Sequence, residues 1–145
     1  MNKEFRVWEF QDKTFFSEEY LKHFKVSISY NGEHIRQDFW GGDKKIGEDV
    51  SIQQWTGALD KNNNKIFEGD IVLFNNPDPY DNHEILTMIV GYNTRSMGYK
   101  LYNFPEDIGK KSGQNFFSED VEVVGNIFEG AVKDGVDYGL YLKVK

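Results

Sequence analysis

Hydrophobic and polar residues alternate along much of the chain, and this period-two pattern predicts short β-strands. In the first segment, Phe5 and Val7 fall on one face of an extended chain while Arg6 and Trp8 fall on the other. A polar turn separates this segment from a second aromatic one at residues 14–16. The first sixteen residues are therefore predicted to form a hairpin.

The rest of the chain is divided into strands and loops in the same way. Strands are predicted over residues 25–30, 33–40, 50–56, 66–67, 70–74, 84–92, 99–104, 121–128 and 138–144. Loops are predicted over residues 41–45, 75–83 and 105–113, because Gly, Pro and Asx residues interrupt a strand ladder. The pair Asn31-Gly32 is typical of a tight hairpin turn.

A single short helix is predicted over residues 17–24. Ser17 can accept a hydrogen bond from the first turn as an N-cap, and Glu18 and Glu19 place carboxylates beside the exposed amides of that turn. Many short strands with so little helix are typical of a β-barrel or a sandwich. We expect the most apolar strand segments to supply the core, with these residues buried: Trp55, Ile66, Ile71, Val72, Ile89, Val121, Val124 and Ile127.

Composition narrows the class of protein. The 145 residues include no cysteine, which excludes disulfide scaffolds and thiolate zinc sites. With 17 basic and 24 acidic residues the net charge is −7, which argues against a general affinity for nucleic acid or for anionic membranes. No apolar run is long enough for a transmembrane helix, and the start of the chain does not resemble a signal peptide. We expect a cytoplasmic protein without a membrane partner.

Three segments together resemble the YopX family, which consists of small proteins of phages and prophages of Gram-positive bacteria. Residues 5–8, FRVW, resemble its amino-terminal F-R-A-W. Residues 53–72, QQWTGALDKNNNKIFEGDIV, resemble its central Q-Y-T-G-L-x-D-K-N-G-x-x-I-Y-E-G-D-I-V. Residues 123–129, VVGNIFE, resemble its closing V-I-G-N-I-Y-E. Their order and spacing match the family over most of the chain.

The resemblance implies a mainly β fold with an SH3-like barrel and an origin in a mobile element. We accordingly expect a single YopX-like domain over residues 1–145, with an amino-terminal hairpin region at 1–45 and a barrel at 50–128. Residues 130–145 extend past the usual end of the family as one more strand, which closes the barrel or mediates contacts. The resemblance implies no enzymatic activity.

Two polar turns are predicted within the central motif. Asp60, Asn62 and Asn63 lie between two strands, and we expect Asn63 to adopt a positive φ where the family usually has glycine. Gly69 and Asp70 precede the apolar run at 71–74, where the glycine gives backbone freedom and the carboxylate can accept nearby amides. The prediction for these five residues is a structural role.

A catalytic role for carboxylates in the second of these turns is the weaker interpretation. Glu68 and Asp70 are two positions apart, so on a strand their carboxylates would share one face and could act as an acid/base pair. The histidines, His23, His34 and His83, show no metal-ligand spacing. We therefore predict no catalytic residue, no metal site and no cofactor, and we keep a small carboxylate-dependent enzyme as an alternative.

The preferred function is protein contact, through self-assembly or a host or phage protein. A short hairpin with aromatic residues on both faces cannot bury both against one small barrel, so we expect a homo-oligomer. The candidate interaction surface consists of Phe5, Trp8, Phe10, Phe15, Phe16 and Trp40. The other alternative is a single-stranded nucleic-acid-binding barrel with an aromatic platform, although the chain has only three arginines and its lysines are scattered.

Overall fold

The structure is a computed structural model, and it describes residues 4–29, 31–36, 43–75, 85–110 and 112–137. Contacts between residues divide the chain into two compact units, whose described residues lie within 4–54 and 55–137. The predicted strand 138–144 and Trp40 lie outside the described residues.

Thirteen strands and one α-helix occur within the described ranges. The strands are β1 (Phe5–Glu9), β2 (Thr14–Phe15), β3 (Ser27–Ile28), β4 (His34–Arg36), β5 (Lys44–Lys45), β6 (Val50–Leu59), β7 (Lys65–Phe67), β8 (Asp70–Asn75), β9 (Ile85–Asn93), β10 (Gly98–Tyr102), β11 (Val121–Asn126), β12 (Val132–Lys133) and β13 (Val136–Asp137). The α-helix is α1 (Glu18–His23), and two short 3₁₀ helices cover Pro105–Asp107 and Ser118–Asp120.

The first unit contains two small antiparallel ladders and α1. Strand β1 lies between β2 and the first half of β6, and β4 lies between β3 and β5. Its core is formed by Val7, Ile35 and Val50, which are fully buried. The predicted helix is confirmed with its cap, since the Tyr20 N–H donates to Ser17 Oγ at 3.1 Å.

The second unit is built on a four-stranded antiparallel sheet in the order β10-β9-β8-β11. The second half of β6 pairs with β7 in this unit, and β12 pairs with β13. Two apolar clusters fill it, one around Val72 and Val90 and the other around Ile71 and Ile89. The register of β11 on β8 shifts between Val123 and Gly125.

The mainly β fold with antiparallel sheets is confirmed, while SH3-like closure of the barrel stays a prediction. The end of the predicted loop 41–45 is wrong, because Lys44 and Lys45 form β5 on the edge of β4. The Lys44 ammonium contacts Glu9 Oε2 at 2.9 Å, and this hydrogen bond raises the pKa of Lys44. A lysine whose ammonium contacts a buried carboxylate can lie in a ladder despite its loop-like sequence context.

Most of the predicted core is confirmed. Ile66, Ile71, Val72, Ile89, Val121 and Val124 are buried, and Ile127 is half-buried against the second cluster. Trp55 was placed wrongly in the core, since it is half-buried and absent from both clusters. Its indole N–H donates to the Ala58 carbonyl at 2.9 Å, and the Lys65 ammonium lies 5.4 Å from its ring centroid.

Candidate interaction site

The aromatic residues of the amino-terminal hairpin are largely covered within the first unit. Trp8 is only 4% exposed, and its ring meets Phe15 edge-on at a centroid distance of 4.9 Å. The guanidinium of Arg6 lies 4.8 Å from the centroid of the same Phe15 ring. Phe5 and Phe16 pack against the core cluster of this unit.

None of the five described members of the predicted interaction surface is fully exposed, since Phe10 is also half-buried. The structure brings Trp8 and Phe15 together across β1 and β2, as the hairpin prediction required. A partner contact at this hairpin stays a prediction, and the argument from an uncovered aromatic face loses its support.

The turn between β6 and β7 is organised by the buried carboxylate of Asp60. Its Oδ1 accepts the backbone N–H groups of Asn62 at 2.9 Å and Asn64 at 2.8 Å. Its Oδ2 accepts the N–H of Val123 on β11 at 2.8 Å. Asn62 reaches the same strand through its amide, which donates to Glu122 Oε1 at 3.2 Å. One aspartate therefore holds the turn in shape and attaches it to β11.

These hydrogen bonds control the charge state of Asp60. Burial by itself would raise the pKa of the carboxyl, but the N–H groups of Val123, Asn64 and Asn62 together lower it below its usual value of 3.8. The carboxylate form is therefore the form that stabilises the fold. Among the described residues the predicted positive φ is also present, at 65° for Asn63.

The geometry of Asn63 gives a direct test. Asn63→Gly should leave the free energy of unfolding unchanged or raise it by up to about 0.5 kcal/mol, because glycine adopts a positive φ without strain. Asn63→Val should lower the same free energy by about 1–2 kcal/mol, because a β-branched side chain is strained there. Urea unfolding of the two variants beside the parent protein measures both effects, and equal stability of the two variants would contradict the assignment.

The second polar turn joins β7 to β8. Asp70 is 1% exposed, and its Oδ2 accepts the Phe67 N–H at 2.8 Å. Gly69 has a φ of 83°, donates to the Val90 carbonyl and accepts the Ile127 N–H. Asp70 thus closes a turn inside the second unit, which is the structural role that the sequence predicts. This placement does not favour the use of Glu68 and Asp70 as an exposed acid/base pair.

A groove lies beside the outer edge of β10 in the second unit. Leu101 exchanges two backbone hydrogen bonds with Gln114, at 2.9 and 2.7 Å. This antiparallel bridge is isolated, because no described residue continues the pairing towards Tyr99. Alternation along a strand points the N–H and C=O of Tyr99 to the same outer edge as those of Leu101. In a continued ladder Phe116 would face Tyr99. The side chain of Phe116 packs on the cluster around Val72 and Val90.

The groove has a volume of about 410 Å³ and combines aromatic walls with polar edges. Its lining consists of Phe74, Tyr99, Lys100, Gln114, Asn115, Phe116, Phe117 and Asp120. Phe117 is 69% exposed at the rim, whereas Phe74 is buried. The pattern of the sequence does not reveal this site, because residues 114–117 have no alternation that distinguishes them from a loop.

The ionisable groups around the groove include both signs of charge. The Lys100 ammonium donates to Asn115 Oδ1, and Asp120 supplies a carboxylate. Burial raises the pKa of the Tyr99 hydroxyl, and the charges of the nearby Glu68 carboxylate and of the Tyr92 hydroxyl raise it further. The lining therefore carries one ammonium, Lys100, and one carboxylate, Asp120, with a second carboxylate, Glu68, near Tyr99.

In the part of the chain that is described, no three His, Asp or Glu side chains lie close enough together to hold a metal ion. None of the helices in the described ranges is long and apolar enough to span a membrane.

Comparison with protein families decides the assignment of the chain. The family model described as YopX protein matches residues 4–132. The chain belongs to the YopX family. The match contains all three motifs that carry the resemblance, and it ends at Val132, the first residue of β12, before the predicted strand 138–144. Membership of the YopX family assigns no biochemical activity to the chain.

Comparison with solved structures gives a partial likeness. A crystal structure of protein EF1440 from Enterococcus faecalis is similar with a TM-score of 0.49 and 23% sequence identity. The likeness covers 89% of this chain and 95% of that one. No curated protein sequence matches this YopX protein significantly.

Proposed function

We propose that this YopX protein is a non-enzymatic binding module, encoded by a prophage, that acts through contacts with a host or phage protein. The partner contributes an extended segment, and this segment pairs as an added strand with the outer edge of β10 at Tyr99. The observation that carries the proposal is the isolated bridge between Leu101 and Gln114. It leaves the outward N–H and C=O of Tyr99 beside an aromatic groove, which is the arrangement that strand addition uses.

The groove supports a side-chain preference as well as backbone pairing. Side chains of an added strand alternate between its two faces, so every second residue would approach Phe116 and Phe117. Burying an apolar side chain there would stabilise the complex by about 1 kcal/mol or more, since Phe117 is 69% exposed in the unbound protein. The partner segment should therefore alternate apolar residues with polar ones.

Charge favours a basic partner over a second copy of the chain. The protein carries a net charge of −7, and the two carboxylates at or near the groove, Asp120 and Glu68, outnumber its one ammonium, Lys100. A segment with lysine or arginine at its polar positions gains attraction during encounter, whereas a second copy brings the same negative charge. The preferred occupant is thus an extended, basic segment of another protein.

A labelled peptide tests this proposal. A short fluorescein-labelled peptide in which valine and lysine alternate should bind, with an affinity that falls as salt is added. The same peptide with glutamate in place of lysine, and one N-methylated on alternate residues to remove its pairing N–H groups, should both bind at least about tenfold more weakly. Fluorescence anisotropy measures all three. Equal binding of the N-methylated peptide would contradict strand addition.

Two matched protein variants locate the contact. Phe117→Ala should weaken binding of the valine-lysine peptide by roughly fivefold to tenfold, because it removes the exposed aromatic wall. Phe104→Ala should not change it, because Phe104 is also exposed, at 53%, but does not line the groove. Equal losses in the two variants would overturn the assignment of the groove.

The competing functions give different results in the same experiments. Absence of peptide binding together with a mass that rises with concentration in light scattering would replace the proposal with homo-oligomer formation. Sub-micromolar, salt-sensitive binding of single-stranded DNA or RNA would replace it with the nucleic-acid alternative. Trp8 is 4% exposed, so such a platform would have to use other aromatic residues.

A further inference from the structure

The loop between β3 and β4 holds the one Asn-Gly pair of the chain, Asn31-Gly32. Both residues are exposed, and a Cβ built at Gly32 would have no atom within 4 Å. Glycine places no side chain beside its own nitrogen, so this nitrogen can approach the preceding side chain with little hindrance. The position therefore has the access that an intramolecular reaction of the Asn31 carboxamide needs.

The Asn31 carboxamide is held by hydrogen bonds at both of its polar atoms. Its Oδ1 accepts the Ser29 hydroxyl at 2.7 Å and the Glu33 N–H at 3.1 Å. Its Nδ2 donates to Glu33 Oε2 at 3.2 Å. The orientation of the amide follows from these partners, because a backbone N–H can only donate and a carboxylate can only accept.

The hydroxyl of Ser29 is also oriented for this contact. Ser29 Oγ accepts the His34 N–H at 3.1 Å, which leaves its own hydrogen for Asn31 Oδ1. Two donors thus converge on the oxygen of the carboxamide. Donors in such positions polarise the carbonyl carbon and stabilise the negative charge that develops on the oxygen when a nucleophile attacks.

We propose that Asn31 is a site of spontaneous modification, at which the carboxamide is converted to aspartate or isoaspartate through a cyclic imide with Gly32. The Gly32 nitrogen loses its proton to a solvent base and attacks Cγ of Asn31, and charge develops on Oδ1 opposite the Ser29 and Glu33 donors. The bond from Cγ to Nδ2 breaks, and Nδ2 takes up a proton and leaves as ammonia. Water then opens the imide at either carbonyl, so the net change is one water consumed and one ammonia released.

The reaction has one structural requirement. The Gly32 N–H donates to the Ser29 carbonyl at 2.9 Å, and this bond must open before the nitrogen can attack. Single hydrogen bonds in exposed loops open at little free-energy cost. The product adds one negative charge, from −7 to −8, and isoaspartate also lengthens the backbone of the loop by one methylene.

Incubation of the whole protein at mildly alkaline pH, followed by peptide mapping with mass spectrometry, tests the proposal. The mass change from amide to acid should accumulate at position 31 faster than at any other asparagine. An isoaspartyl methyltransferase assay on the separated peptides should label the peptide that contains position 31. Asp134-Gly135 can also form isoaspartate, but without a change in mass, so the mass shift separates the two positions.

Two serine variants test the role of the donors. Ser29→Ala should slow the reaction by about fivefold, because it removes one of the two donors to Oδ1. Ser27→Ala should leave the rate unchanged, because Ser27 is exposed in the same hairpin and no described contact joins it to Asn31. A faster reaction in the Ser29 variant would overturn the assigned role of the hydroxyl. Modification that occurs only in guanidinium, and not in the folded protein, would show that the loop protects Asn31 and would overturn the proposal itself.

Discussion

Gly125→Ala should lower the free energy of unfolding by about 3 kcal/mol, the largest effect that we expect from a single added methyl group in this protein. A Cβ at this position would lie 2.1 Å from the Gly130 carbonyl oxygen and 2.5 Å from the Ala131 Cα. Both are backbone atoms, which cannot move aside as the end of a flexible side chain can. Equilibrium unfolding in urea, followed by circular dichroism, measures the loss.

Gly98→Ala is the matched control for this substitution. Gly98 also lies in a strand of the second unit, its φ is not positive, and an added Cβ would have no atom within 4 Å. The free energy of unfolding of the Gly98→Ala variant should stay within about 0.5 kcal/mol of the parent value. If the two alanine variants were equally stable, the close approach of residues 130 and 131 to β11 would be refuted.

Asp60→Asn should lower the free energy of unfolding by about 2–3 kcal/mol at neutral pH. An asparagine keeps one acceptor oxygen but presents an NH₂ group to backbone N–H donors that now bond to the carboxylate, either Val123 or the pair Asn62 and Asn64. Buried donors that lose a charged acceptor cost about this much. The same substitution at exposed Asp12 is the control, and there we expect a change within about 0.5 kcal/mol.

The difference between the parent protein and Asp60→Asn should depend on pH in a defined direction. The folded state lowers the pKa of Asp60 below its usual 3.8, so the unfolded chain binds the proton more readily. The stabilisation is therefore fully present above the unfolded pKa and is lost as the pH falls through the folded pKa. Urea unfolding between neutral and strongly acidic pH should show the two proteins converging in acid, and a difference that grew in acid would contradict the assigned charge state.

Local chemistry in the sequence predicted the turns and the helix well. Ser17 caps α1, Asn63 has a positive φ, and Asp70 closes the turn before β8, because each role depends on residues within a few positions. The buried carboxylate of Asp60 was placed correctly in a turn. Its bond to Val123 was not predictable, because that contact joins residues far apart in the chain.

The errors have the same origin. Lys44 joins a strand because Glu9, on a distant strand, supplies a carboxylate, and the local pattern of glycines and lysines does not contain that information. Trp55 lies outside the core clusters, and its neighbours along the chain, Gln54 and Thr56, are polar. The loop that contains Asn31-Gly32 is also longer than the predicted tight turn, since Ile28 pairs with Ile35. The groove beside β10 depends on one bridge to Gln114, and no period in the sequence indicates it.

The boundary between the two units falls inside β6, between Gln54 and Trp55, and not in a flexible connection. A fragment that ended or began there would keep only half of a strand and would expose the ladder groups that β1 or β7 now satisfies. Such half-strands recruit other chains and favour precipitation. Truncation at this point would therefore measure the aggregation of an exposed strand edge. Experiments on either unit require the intact chain with point substitutions.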